Sequence, residues 1–182
     1  MIKKLRINGF TLIEAVVATA VFAFVVSSII GVYLSVLQLD RKTRAQVAVS
    51  QNARFIMEFL AKEVRNGNID YSGANSCVNG INKLCLINQA GEAEYIEYLS
   101  PNLVFKKASS TTTNLNSAAV KITNMGLYVQ PTHDPFTPAK NFNEQPRVTV
   151  VLELTSNYGS NTIDVVKTNL QTTFAVRVYP TR

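Results

Sequence analysis

Between Glu14 and Asp40 the chain runs for 25 residues without a charged side chain. A helix needs about 20 apolar residues to cross the hydrocarbon core of a bilayer, so this run is long enough to span one. It is too long for the apolar region of an ordinary secretory signal. A cleavable signal would place small residues after its apolar stretch, whereas Ala18-Thr19-Ala20 comes before most of it. Lys3, Lys4 and Arg6 precede the run and favour a cytoplasmic N-terminus. Arg41, Lys42 and Arg44 oppose that orientation from the other flank. A plain signal anchor fits the hydropathy but leaves Glu14 unexplained. A carboxylate costs about 2.5–3.5 kcal/mol near the bilayer centre and less near the interface, so a partner is expected to offset it.

Gly9-Phe10-Thr11-Leu12-Ile13-Glu14, after a short basic leader and before a long apolar run, resembles the signal of type IV prepilins and pseudopilins. The resemblance implies that a membrane-embedded prepilin peptidase cuts between Gly9 and Phe10 and methylates the new amine of Phe10. It also implies an assembly role for Glu14, whose carboxylate would neutralise the N-terminus of a neighbouring subunit in a filament. The motif covers the first quarter of the chain. The residues show one related feature unaided: Ala15, Thr19, Ala23, Ser27, Gly31 and Ser35 place a small side chain at every fourth position. Small residues let helix backbones approach closely in lipid. At 3.6 residues per turn such a row winds around the axis, which suits a helix with several neighbours better than a dimer. Ordinary membrane-helix composition would give a similar row. Many major pilins carry a proline where this chain has Gly31, and glycine weakens a helix less than proline does.

The helix is expected to continue through the polar, basic residues 40–54. Phe55, Ile56, Phe59, Leu60 and Val64 then fall at helical spacing, with Glu58, Lys62, Glu63 and Arg65 on the other face. Gly67 is the stop signal. A helix from Phe10 to Asn66 would be about 85 Å long at 1.5 Å per residue. The remainder reads as strands. Val148, Val150, Leu152 and Leu154 alternate with polar residues over 147–155, and Leu170, Thr172, Phe174, Val176 and Val178 share a face over 170–179. Shorter candidates are 94–99, 103–106, 118–123 and 126–130. The expected fold class is α+β: a long transmembrane helix running into an amphipathic helix packed on an antiparallel β-sheet head, the pilin fold. The expected domains are a cleaved leader (1–9), a transmembrane and filament-core helix (10–39), its amphipathic second half (40–66) and a β-rich head (67–182). The sequence 55–65 and the closing strands look most like minor pilins and pseudopilins of the J/W type.

The formal charge of +6 dissolves once it is located. Removing Lys3, Lys4 and Arg6 with the leader leaves 18 − 3 = 15 basic against 12 acidic residues, weak support for any charged partner. Basic residues 41–54 read as a solvated helix face in preference to a DNA site. Cys77 and Cys85 are the two cysteines, in a stretch that reads as a loop. A head outside the cytoplasm would favour a disulfide between them; two buried thiols are the alternative. Closing so short a loop would contribute about 2–3 kcal/mol.

With one histidine, His133, no zinc set can be completed, and no metal or cofactor is expected. No phosphate loop or nucleophile elbow occurs, His133-Asp134 lacks a nucleophile beside it, and the chain reads as a non-enzyme. Asp134 and Asp164 form no EF-hand series. Tyr71, Tyr95, Tyr98, Tyr128, Tyr158 and Tyr179 are of a type that stacks on bases or sugars, but they sit as packing residues would. The expected function is a structural subunit, a minor pilin or pseudopilin, of a type IV pilus-like or type II secretion-like filament. Its partners would be other pilin subunits, the prepilin peptidase, the assembly machinery and the bilayer. It would sit in the inner membrane with the head extracytoplasmic and then enter a surface filament. The alternative is a membrane-anchored binding module, an adhesin or DNA-capture protein, on the same anchor.

Overall fold

In the computed structural model, residues 9–72, 77–78, 80–107, 112–136, 144–157 and 165–177 are described. Residues 1–8 of the leader, Asp164, Tyr158, Tyr179 and the last residues of the final predicted strand lie outside them. The chain divides into two compact units, Met1–Arg41 and Lys42–Arg182. One helix, α1 (Leu12–Asn66), supplies residues to both. Among the described residues eight strands follow: β1 (Asn68–Ile69), β2 (Lys83–Ile87), β3 (Ala93–Leu99), β4 (Asn102–Lys107), β5 (Thr113–Asn114), β6 (Val120–Gln130), β7 (Arg147–Ser156) and β8 (Lys167–Ala175).

All strand pairings are antiparallel, and the strands form two sheets rather than one. The first is ordered β1-β2-β3-β4-β5 and the second β6-β7-β8. In the second unit, α1 buries Ala45, Val49, Ala53, Ile56, Leu60 and Val64, spaced by three and four residues along one stripe. The stripe thus starts ten residues before Phe55, inside the segment read as a solvated basic face. Its early members are small or β-branched, so hydropathy alone hid them. Arg41, Lys42, Arg44 and Arg54 are exposed. Phe55 is 52% exposed, and Phe59 meets Phe105 of β4 edge to face at 5.0 Å between ring centroids. Ile56, Leu60 and Val64 join Leu84, Leu86, Ile96, Leu103, Leu127, Val150, Leu152 and Leu154 in one core drawn from the helix and both sheets. Each fully buried aliphatic side chain there contributes roughly 1.5–3 kcal/mol.

Several polar connections join these layers. Asn52 of α1 accepts from the Ser117 N–H at 2.9 Å. Asn116 accepts from Leu103 N–H at 2.9 Å and donates to the Val120 carbonyl at 2.8 Å. The Tyr98 hydroxyl of the first sheet donates to the Ile122 carbonyl of the second at 3.1 Å. Gly67 ends α1 because a Cβ there would lie 3.0 Å from the Glu63 carbonyl oxygen and 3.2 Å from that of Ile87. The helix end and β2 leave no space for a side chain.

Three sequence expectations change. Segments 118–123 and 126–130, read as separate strands, are one strand, β6, with a register shift between Ile122 and Asn124. The ring of Tyr128 lies over Gly126, where a Cβ would approach within 2.8 Å. The last strand begins at Lys167, three residues earlier than expected, and still turns Thr168, Leu170, Thr172, Phe174 and Val176 inward. Cys85 lies in a strand, not a loop: β2 buries Leu84, Cys85 and Leu86 in succession, so it lacks the alternation by which strands are recognised.

One buried charge sits at the junction of α1 and the first sheet. Glu94 is 3% exposed, pairs with Lys107 at 3.3 Å and accepts from Asn88 Nδ2 at 3.0 Å. Burial raises the pKa of Glu63 on α1, the Glu94 carboxylate raises it further, and Lys62 and Lys107 pull it down. The folded state therefore holds the Glu63 proton more tightly than the unfolded chain does. The associated stability is present below the ordinary carboxylate range and lost as pH rises through the raised pKa. Glu63→Gln removes that loss. The variant is expected to unfold at a higher temperature than wild type near pH 7, with the gap closing by about pH 4. Thermal unfolding of the detergent-solubilised chain at both pH values checks this, and a wild type more stable than the variant at neutral pH would refute it.

Candidate functional site

The N-terminal segment is organised by the start of α1. Thr11 is the residue before the first helical turn. Its Oγ1 accepts from the Glu14 N–H at 3.3 Å, and Glu14 Oε2 accepts from the Thr11 N–H at 3.2 Å and from its hydroxyl at 3.1 Å. This reciprocal pair is a capping box, which satisfies backbone donors that a helix start otherwise leaves open. A carboxylate in the first turn also complements the helix dipole. Glu14 thus has a partner inside its own chain, and the sequence reading missed Thr11. The signal was present as Thr-x-x-Glu directly ahead of an apolar run.

Gly9 and Phe10 precede the cap and are exposed, Phe10 by 77%. A Cβ on Gly9 would meet nothing within 4 Å. The fold therefore does not require glycine at that position, and any such requirement comes from a molecule that reads the segment from outside.

From Leu12 onward α1 presents large apolar side chains on every side, among them Val17 (55% exposed), Phe22 (70%), Phe24 (75%) and Ile29 (62%). An 18-residue window reaches a mean hydropathy of 2.5 with none of it buried. A surface helix of a water-soluble domain would hide one stripe; this stretch of α1 hides none, and lipid or other helices are the environments that satisfy it. Its serine and threonine hydroxyls are already satisfied. Thr19 donates to the Ala15 and Val16 carbonyls, Ser27 to Ala23, Ser28 to Phe24 and Ser35 to Gly31, at 2.9–3.0 Å. The small row therefore offers close approach to a neighbour without demanding hydrogen bonds from it.

In the second unit, Cys77 and Cys85 are bonded as a disulfide with Cα atoms 5.2 Å apart, both buried. The described tyrosines of this unit are engaged in packing. Tyr98 bridges the sheets, the Tyr95 ring carries Lys83 Nζ 4.7 Å from its centroid, and Tyr128 covers Gly126. Tyr71 keeps its hydroxyl buried; burial and then the Asp134 carboxylate push its pKa up to about 12. Asp134 itself accepts from the Phe136 N–H at 2.9 Å, closing a turn. Among the described residues, no group of three or more His, Cys, Asp and Glu side chains is placed to hold a metal ion.

Residues 4–30 match the family described as the prokaryotic N-terminal methylation motif. Comparison with curated proteins and with solved structures returns no match. The matched residues contain Gly9, the capping box and much of the exposed apolar segment. The chain thus joins the type IV prepilin signal to a long apolar helix and antiparallel sheets, the architecture of a membrane-anchored, pilin-like protein.

Proposed function

We propose that this chain is a minor pilin or pseudopilin, a structural subunit of a type IV pilus-like or type II secretion-like filament. A prepilin peptidase cuts between Gly9 and Phe10 and methylates Phe10. The helix then packs among those of other subunits, with Glu14 paired to the Phe10 amine of a neighbour. The basic leader holds the N-terminus in the cytoplasm and the head is delivered to the other side, where the Cys77–Cys85 bond is at home in an oxidising compartment. The observation that carries the reading is the methylation motif over residues 4–30, standing directly on the start of a helix that has an 18-residue apolar stretch with none of it buried.

Intact-mass analysis of membrane-extracted protein tests it. The expected chain begins at Phe10, carries one added methyl group, and is lighter before reduction by the hydrogen pair lost in forming the disulfide. A mature protein that keeps Met1 in cells containing the peptidase overturns the processing. Two thiols free to alkylation in fresh material overturn the oxidised, extracytoplasmic head.

A further inference from the structure

Sheet edges expose unpaired backbone groups, and proteins blunt them with short strands, charges, prolines, bulges or cover. Three of the four edges here are handled that way. β1 and β5, at the ends of the first sheet, are two residues long. β6 carries a register shift, and its Ile122 and Leu127 N–H groups donate to the Pro101 and Ile81 carbonyls at 2.9 and 2.8 Å. β8 is the exception. It pairs with β7 in unbroken register over nine residues and carries neither charge nor proline from Thr168 to Ala175.

The direction of its free groups follows from the ladder ends. Ser156 N–H donates to the Val166 carbonyl and Val176 N–H donates to the Pro146 carbonyl, both at 2.9 Å. Even-numbered residues therefore face β7, and the alternation of an antiparallel ladder turns the N–H and C=O groups of Lys167, Asn169, Gln171, Thr173 and Ala175 outward. No described residue bonds to these backbone groups. The inward side chains of Thr168, Leu170 and Thr172 are only half-buried, while Leu154, Leu152 and Val150 opposite them on β7 are fully buried. One more strand would complete both the hydrogen bonding and the cover.

We propose that β8 pairs antiparallel with β8 of a second copy of this chain, joining two three-stranded sheets into one. With Gln171 on the two-fold axis, Asn169 faces Thr173, Leu170 faces Thr172, Thr168 faces Phe174 and Lys167 faces Ala175. Outward-turned groups meet outward-turned groups in this register, and polar side chains lie on the solvent face. No like charges are opposed. Lys167, the one cation, stands at the strand end and is held by Glu153 at 2.7 Å. The association is independent of leader cleavage.

Full-length protein in detergent micelles carrying Gln171→Cys is treated with a short bis-thiol-reactive linker; the native cysteines are occupied by their disulfide. A cross-linked dimer is expected at Gln171→Cys and not at Lys121→Cys on the exposed face of β6. Association through α1 alone would cross-link both sites equally or neither, and either outcome overturns the proposal. Adding Asn169→Lys with Thr173→Lys opposes lysines at two cross-strand pairs and is expected to lower the yield at least about threefold. Asn169→Lys with Thr173→Glu alters the same exposed positions but opposes unlike charges, and is expected to keep the yield. Equal yields from the two double variants would overturn the register.

Discussion

Glu14→Val is expected to leave cleavage, membrane insertion and head folding intact while lowering the amount of protein in sheared filaments about tenfold or more. On the proposed assembly, Glu14 moves from the helix start of a free subunit to a low-dielectric filament interior. There its carboxylate needs the Phe10 amine of a neighbour. Removing one member of such a pair strands the other charge, at about 3–5 kcal/mol in buried settings. The capping box complicates valine, because Glu14 also accepts from the Thr11 N–H and hydroxyl within its own chain. Glutamine separates the two roles. It retains the capping function of a residue at the third helical position but carries no charge. Glu14→Gln is therefore expected to be nearly as defective as Glu14→Val. The measurement is the ratio of protein in filaments to protein in the membrane fraction for all three chains. A glutamine variant that assembles like wild type would reduce Glu14 to a cap and defeat the charge pairing.

The second large effect is in the head. Leu60→Ala is expected to cost about 2–5 kcal/mol, the range for emptying a packed leucine site. That is a large fraction of a typical domain stability of about 5–15 kcal/mol. Leu60 is fully buried in the core that α1 shares with both sheets. Phe55→Ala, five residues away on the same helix, is the contrast. Phe55 is 52% exposed and keeps only a tilted ring contact with Phe59 at 6.2 Å, so its loss should cost below about 1 kcal/mol. Denaturant unfolding followed by near-ultraviolet circular dichroism reads both. Similar costs for the two variants would mean that the helix packs on the head through a different face.

The two residues also show where sequence reasoning stopped. Periodicity placed residues 55–64 on a helix with an apolar stripe, but several rotations of that stripe bury an almost equal number of apolar groups. Only contact with the sheets selected the row through Ala45, Val49, Ala53, Ile56, Leu60 and Val64 over one centred on the phenylalanines. β2 escaped notice because a strand buried on both sides loses its alternation. The division into two sheets is a matter of which edges meet, and no single strand carries that information. The same holds for Glu94, which looks like any strand carboxylate until Lys107 and Asn88 are brought beside it.

The N-terminal forty residues were legible for the opposite reason. Their behaviour depends on interactions within a few positions along one helix and on the bilayer, a solvent with uniform demands. Hydropathy reports the span, the basic leader supports an orientation, and Gly9, Phe10, Thr11 and Glu14 sit within six consecutive residues. Even the cap that joins Thr11 to Glu14 is a contact three residues long. What the sequence determined by itself is thus the anchor, the helix and the alternation of β7 and β8. What only the tertiary structure decided is which helix face is covered, how the described strands divide between two sheets, and which edge, β8, keeps its outer backbone groups unbonded by any described residue. Those choices rest on contacts between residues far apart in the chain, whose partners are set only when the chain has closed.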